Sequence, residues 1–128
     1  MEEEPIEKIP LENGLTLELY DRSRRLAGDR WLVHLFGSIT IDVEAHYPKD
    51  DSLPPLETVK KALGDTIRYS FDKKSHFVDE SEKDSEFETL RSDFLNTGLA
   101  YVSRPGFAGK LILRRYNEQL SGQPWRAT

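Results

Sequence analysis

The stretch that decides the fold is residues 31–46, which read WLVHLFGSITIDVEAH. Its odd-numbered positions are apolar apart from Gly37, whereas its even-numbered positions become polar after Phe36. Alternation with a period of two predicts a β-strand with one buried face, because successive side chains of a strand point to opposite faces. We therefore predict one strand of about 14–16 residues, with a bend or bulge at Gly37, where a side chain would clash.

A second strand precedes the long one. Residues 15–20, LTLELY, alternate in the same way and follow Asn13-Gly14, a turn dipeptide that is typical of hairpins. A short strand at residues 6–11 would pair back across that turn, with Pro10 on a sheet edge because proline has no N–H for the ladder. We expect residues 15–20 to form an antiparallel hairpin with the long strand, through a long and arginine-rich connection.

A helix and a third strand follow the hairpin. Residues 56–63 carry apolar side chains at helical spacing after a Pro-Pro pair, with Ser52 as a possible cap and Gly64 as the glycine that ends the helix. Residues 67–71 alternate again between apolar and polar side chains, which predicts the third strand.

The remainder of the chain is mainly helical in its patterning. Residues 85–88 fit the S-x-x-E capping pattern, and the apolar stripe around them predicts an amphipathic helix over about residues 83–97. Residues 107–120 could form a helix or a buried strand. We favour the helix, because it would end naturally at Ser121-Gly122.

This order of elements predicts an α+β fold. The sheet would be small and antiparallel, built from the long β-hairpin plus a third strand, with two or three helices packed on one face. The other face would stay partly open to water or to a partner. A length of 128 residues fits one domain over residues 1–128, and we expect residues 1–8 and 121–128 to fray.

The composition narrows the range of functions. The chain has no cysteine, which removes disulfides and thiolate chemistry, and its net charge is −5, which disfavours binding to nucleic acid. No apolar run approaches the roughly 18–20 residues that span a bilayer, and the acidic start is unlike a signal peptide. The chain is therefore expected to be a cytoplasmic protein with no membrane contact.

Sequence motifs give little support to catalysis. The glycine patterns that cradle phosphates, the nucleophile elbow and the zinc-binding H-E-x-x-H pattern are all absent from the sequence. We predict no cofactor and no metal, and we favour a protein that is not an enzyme.

Two groups of residues are candidates for binding. The first lies on the polar side of the long strand and consists of Thr40, Asp42, Glu44 and His46. Side chains two apart on one face of a strand stand about 7 Å from each other, so the carboxylates and the imidazole could approach one ion. A solvated strand face explains the same pattern without any site.

The second group consists of the arginines in the predicted connection, Arg22, Arg24, Arg25 and Arg30. Clustered guanidinium groups could hold a phosphate or carboxylate, although an ordinary charged hairpin end would look the same. Residues 79–93 carry seven carboxylates and two basic side chains. This acidic helix could pair with the arginines, could dock a basic partner or could simply be solvated.

Several short runs resemble a group of small uncharacterised bacterial proteins. They are LENGL at 11–15, DRSR at 21–24, AGDRW at 27–31, SRP at 103–105 and RRY at 114–116. The resemblance contains no catalytic motif. It implies only a bacterial, cytoplasmic setting.

Three functional hypotheses follow. We favour a non-enzymatic binding or regulatory module that contacts a protein partner or a second copy of itself, through the open sheet face or the acidic helix. The first alternative is a small metal-dependent or acid–base enzyme that uses Asp42, Glu44 and His46. The second alternative is an anion or nucleic-acid binder that uses the arginines of residues 22–30.

The alternation of the long strand makes a direct prediction about stability. Replacing a buried large side chain by alanine costs about 2–5 kcal/mol, so Ile41→Ala should lower the urea midpoint sharply. Thr40→Ala should barely change it, because Thr40 would point to the polar face. Similar midpoints for the two variants would show that the faces are assigned wrongly.

Overall fold

The computed structural model describes residues 3–121, so residues 1–2 and all but Ser121 of the expected tail at 121–128 lie outside the described residues. The described chain divides into two compact units. Unit 1 holds residues 3–39 with Tyr69–Arg104, and unit 2 holds Thr40–Arg68 with residues 105–121.

Within residues 3–121 the chain forms five strands, five α-helices and one 3₁₀ turn at Glu80–Glu82. The strands are β1 (Glu7–Pro10), β2 (Thr16–Asp21), β3 (Arg24–Ala27), β4 (Arg30–Asp42) and β5 (Thr66–Asp79). The helices are α1 (Val43–His46), α2 (Leu56–Leu63), α3 (Lys83–Thr97), α4 (Leu99–Val102) and α5 (Phe107–Leu120). The antiparallel sheet with its separate helices confirms the predicted α+β class.

The sheet is organised around β4. Strands β2 and β3 both pair antiparallel with β4 in one register, in which Arg24 lies opposite Leu32. Between the two strands, the N–H of Arg22 donates to the carbonyl of His34 at 2.9 Å. Strands β2 and β3 are therefore one interrupted strand along one edge of β4. Strand β1 pairs with β2, and β5 pairs with β4.

This pairing corrects the prediction of a long arginine-rich loop. Residues Arg24–Ala27 are a strand, and the hairpin turns at Gly28-Asp29, where Gly28 has a φ of 56°. Both Arg24 and Arg25 are exposed. Water therefore reaches both faces of β3, which is why the sequence shows no alternation there.

The predicted buried face of β4 is confirmed from Val33 to Ile41, but Trp31 at its start is only half-buried and the predicted end of the strand is wrong. Val33, Leu35, Ile39 and Ile41 are fully buried. The strand stops at Asp42 after 13 residues. Its last side chain caps helix α1, since the Asp42 carboxylate accepts from the N–H of Glu44 at 3.2 Å. A buried Val43 suits a strand and a helix equally, so the alternation alone could not locate this change.

Gly37 is needed for close packing and not for a bulge. It pairs with Leu19 in an unbroken register, so the β2–β4 pairing has no bulge at this position. A Cβ atom at this position would lie 2.1 Å from Cε1 of Phe71 on β5. The Phe71 ring is itself stacked on Phe94 of α3, with centroids 4.0 Å apart. The aromatic pair therefore occupies the space that a side chain at residue 37 would need.

The helices follow the predictions more closely than their caps do. Helix α2 ends at Gly64, as predicted, but its N-cap is Pro55, and Ser52 instead bonds to Asp50. Helix α3 has the predicted bounds. Ser85 does not cap it, because its hydroxyl donates to the carbonyl of Glu82.

Strand β5 is longer than predicted, whereas helix α5 has the predicted extent. Strand β5 has 14 residues and runs well beyond the predicted residues 67–71. Residues 107–120 are helical, but Leu120 is 65% exposed. The buried side of α5 instead includes Phe107, Leu111 and Ile112.

The two faces of the sheet in unit 1 are unequal. The face that carries Leu17, Leu19 and Leu35 is fully buried, and α3 supplies Phe94 to it. On the outer face Ser38 is buried, Tyr20 is half-buried and Thr16 is exposed. One face thus forms the core, and the other retains polar and aromatic groups that water can reach.

The packing at Gly37 predicts a specific weakness. Gly37→Ala should destabilise the protein by about 1–3 kcal/mol, as overpacked core sites do, because the Phe71 ring cannot move without disturbing Phe94. Gly106→Ala is the matched control, since a Cβ there would meet only the end of the Lys110 chain at 3.8 Å. Urea unfolding measures both, and equal midpoints would contradict the close approach of Phe71.

Candidate functional site

The residues predicted to form a polar strand face do not converge. Asp42 caps α1, and Glu44 forms an ion pair with Lys60 at 2.9 Å. Glu44 and His46 are two residues apart in a helix, where such side chains point in different directions. Thr40 remains exposed on β4. Within residues 3–121 no three His, Asp or Glu side chains lie together in a way that could hold a metal ion.

The four predicted arginines are dispersed and mostly neutralised. Arg25 pairs with Glu80 at 3.1 Å, and Arg30 lies 3.6 Å from Asp79. Arg24 is exposed. The start of the acidic segment thus pairs with two of the arginines, which was one of the predicted alternatives. The guanidinium groups do not form a single anion site.

Trp31 lies between the same charged groups. Its indole N–H donates to the Glu80 carboxylate at 3.0 Å. The Arg25 guanidinium and the Lys83 ammonium lie 5.3 Å and 4.9 Å from its ring centroid. These contacts connect the tip of the β3–β4 hairpin to the beginning of α3. They indicate a structural role for this end of the arginine segment.

Arg22 belongs to a different group of residues, on the outer face of the sheet. We call this group the outer-face cluster, and it consists of Glu3, Arg22, His34, Phe36 and Asp72. The Arg22 guanidinium carbon lies 3.7 Å from the Phe36 ring centroid. Both Glu3 carboxylate oxygens accept hydrogen bonds from the same guanidinium, at 2.8–3.1 Å from Nε and Nη2. The cation is therefore fixed above an aromatic ring.

The same cluster contains a histidine–carboxylate pair. His34 Nε2 lies 2.5 Å from Asp72 Oδ1. The imidazole is largely covered, with 13% of its side chain exposed, whereas Asp72 is 48% exposed. The backbone N–H of His34 donates to the Ser23 hydroxyl at 3.0 Å. Strand β4 thus presents His34 and Phe36 side by side on its outer face.

The electrostatics of the Glu3–Arg22 pair favour its charged state. The hydrogen bonds from Arg22 hold the pKa of the Glu3 carboxyl below its usual range. The same bonds raise the pKa of Arg22. Tyr20 extends the aromatic surface, since its ring centroid lies 5.8 Å from that of Phe36. Together with Tyr20, the cluster combines an ordered cation, aromatic rings and two carboxylates on a sheet face that water reaches in part.

Sequence reasoning identified only part of this cluster. Arg22 was a candidate, and His34 was placed on the even-numbered face of β4. Glu3 lay in a segment expected to fray, and Asp72 lay just beyond the predicted third strand. The pattern that could have identified Asp72 is the alternation with Tyr69 and Phe71. Continued by one residue, it places the Asp72 side chain on the outer face of β5.

Unit 2 contains a separate surface cavity of about 390 Å³. It lies in the loop between α1 and α2, and Tyr47, Pro48, Asp50, Leu53 and Pro54 are among the residues that line it. The Tyr47 hydroxyl donates to the carbonyl of Pro54 at 2.5 Å. Burial raises the pKa of Tyr47. The phenol is therefore a neutral structural group of this loop.

Comparison with known proteins finds no matching protein family, no matching curated protein and no matching solved structure. Among residues 3–121, no helix is both long enough and apolar enough to cross a membrane.

The Glu3–Arg22 contact makes a prediction about pH. Because the Glu3 pKa is lowered in the folded protein, the contact is complete above the usual glutamate pKa of about 4.3 and is lost as the pH falls through the lower folded value. The Arg22 Hε chemical shift should therefore keep its downfield, hydrogen-bonded value at neutral pH and move to that of a free arginine in acid.

Glu3→Gln should remove this pH-dependent change of the Arg22 shift, because the glutamine amide does not titrate. Glu4→Gln is the matched control, because Glu4 is an exposed neighbour. NMR pH titrations that show the same change of the Arg22 shift in both variants would contradict the contact.

Proposed function

We propose that this protein is a non-enzymatic binding module, which contacts a protein partner or a second copy of itself through the outer face of its sheet. The contact would centre on the outer-face cluster and on Tyr20. The observation that carries the proposal is the fixed position of Arg22 above Phe36, on a sheet face where Tyr20 and Phe36 are only half-buried.

The chemistry of the cluster supports this choice. Aromatic residues and arginine are enriched where binding energy concentrates in protein interfaces. An arginine already held in place loses less conformational entropy when a partner arrives than a free arginine would. Glu3 and Phe36 hold the Arg22 side chain in this way. The face is therefore prepared for a partner that offers aromatic or carboxylate groups.

The other predicted functions have less support. Asp42 and Glu44 are each engaged by other groups, so the metal-dependent or acid–base enzyme lacks its expected site. Arg25 and Arg30 face carboxylates, which weakens the case for an anion or nucleic-acid binder. The acidic helix ranks second as a docking surface, because charged groups on it are already engaged: its Arg91 pairs with Glu88 and with Glu7 of β1. A bacterial and cytoplasmic setting remains part of the proposal.

A comparison of variants tests the proposal. Phe36→Ser and Arg22→Ser should each weaken partner or self-association at least tenfold, because loss of an interface hot spot costs more than about 1.4 kcal/mol. Thr16→Ser is the matched control on the same face. Sedimentation velocity over a range of concentrations reports self-association, and quantitative affinity capture reports a partner.

Urea midpoints for the three variants separate loss of binding from loss of folding. The proposal is wrong if the wild-type protein stays monomeric and captures nothing. It is also wrong if a captured partner binds Phe36→Ser as tightly as wild type.

A further inference from the structure

Strand β5 is an unusually long edge strand. It has 14 residues and pairs with β4, and no other strand within residues 3–121 pairs with its second edge. The opposite edge of the sheet, β1, has only 4 residues. A long open edge can accept another strand, so proteins usually shorten such edges or protect them with charges.

The direction of the backbone groups shows which residues form this edge. Just before β5, the carbonyl of Asp65 accepts from the N–H of Val43, the residue that directly follows β4, at 2.9 Å. Within β5, the carbonyl of Arg68 accepts instead from the Arg115 guanidinium, also at 2.9 Å. The backbone N–H and C=O groups of odd-numbered β5 residues therefore point toward β4, and those of even-numbered residues point to the free edge. In unit 1 the β5 residues whose backbone groups point to the free edge are therefore Ser70, Asp72, Lys74 and His76. All four residues are exposed.

Phe77 marks the end of this regular edge. Its φ is 58°, a left-handed conformation that bulky residues rarely adopt. Its side chain is 71% exposed, and the alternation of exposure along the strand stops here, because His76 is exposed as well. An extra residue of this kind ends regular pairing and redirects the side chain. The result is a large aromatic group displayed beside the open edge.

The charges of the edge select the kind of strand that it could accept. Lys73 and Lys74 are adjacent, so their side chains lie on opposite faces of the sheet. Neither forms an ion pair within the described residues, whereas the Asp72 carboxylate is bound to His34. Two copies of β5 would bring like charges together, which disfavours self-pairing. An acidic strand would meet two available cations.

We propose that the free edge of β5, from Ser70 to His76, binds an extended acidic peptide segment by strand addition. Two adjacent acidic residues of the segment would pair with Lys73 and Lys74, one on each face. An apolar residue three or four positions away would pack on Phe77. The backbone supplies affinity and the side chains supply selectivity, as in other complexes formed by strand addition.

The probe is a synthetic peptide of about ten residues, long enough to cover the edge. It contains adjacent glutamates and a leucine four positions away, and it is made with the leucine before or after the pair, to allow both strand directions. One control peptide carries lysines in place of the glutamates. Another has N-methyl groups on alternate backbone nitrogens, which block strand pairing.

Amide hydrogen exchange and ¹⁵N chemical shifts report where the probe binds. The glutamate peptide should protect the N–H groups of Ser70, Asp72, Lys74 and His76, and both control peptides should fail to do so. Protection of these four amides in the free protein would overturn the proposal, because the edge would already be covered. Equal binding of the glutamate and lysine peptides would overturn the stated chemistry.

Variants separate binding at the edge from folding. Replacing Lys73 and Lys74 by glutamate should weaken peptide binding about tenfold, and Lys49→Glu, at an exposed lysine of unit 2, should not. Phe77→Gly should weaken binding while preserving the urea midpoint, because glycine accepts the left-handed backbone without strain. Unchanged binding in both β5 variants would contradict the proposal.

The edge and the outer face can be tested independently. Phe36→Ser changes the proposed outer-face contact and should leave peptide affinity at the edge unchanged. Self-association that protects the β5 amides would show that the occupant is a second copy of the chain, and would overturn the proposed acidic segment.

Discussion

The position of β4 between its neighbours is the constraint on which the rest of unit 1 depends. Leu35 and Ile39 are fully buried on one face, and full burial of such a side chain stabilises the fold by about 1.5–3 kcal/mol. A slip of one residue would expose this whole set and bury the polar one. Every close contact across the sheet, including that between Gly37 and Phe71, requires this register.

The same register decides what the opposite face displays. Because odd-numbered residues of β4 face the core, His34 and Phe36 must face outward, where Asp72 and Arg22 meet them from the two neighbouring strands. The core side leaves no room for these groups. A binding surface on the outer face is thus linked to the packing beneath it, and both would be lost together if the register changed.

Periodic segments were predictable from the sequence, whereas pairings between distant segments were not. The alternation of β4 and the stripe of α3 gave the correct faces and helix bounds, because local burial creates those patterns. Strand β3 has exposed arginines on both faces and carries no such signal. The contact between His34 and Asp72 joins residues 38 positions apart, and it depends on a register that neither segment encodes by itself.

The absence of cysteine from the chain permits a direct test of the two-faced sheet. Single cysteines at Leu19, Tyr20, Leu35 and Phe36 can each be labelled with a thiol reagent under native conditions. The account predicts rapid labelling at positions 20 and 36, and labelling at positions 19 and 35 only at the rate of unfolding. Equal labelling rates at positions 35 and 36 would contradict it, because those two side chains would then share one environment.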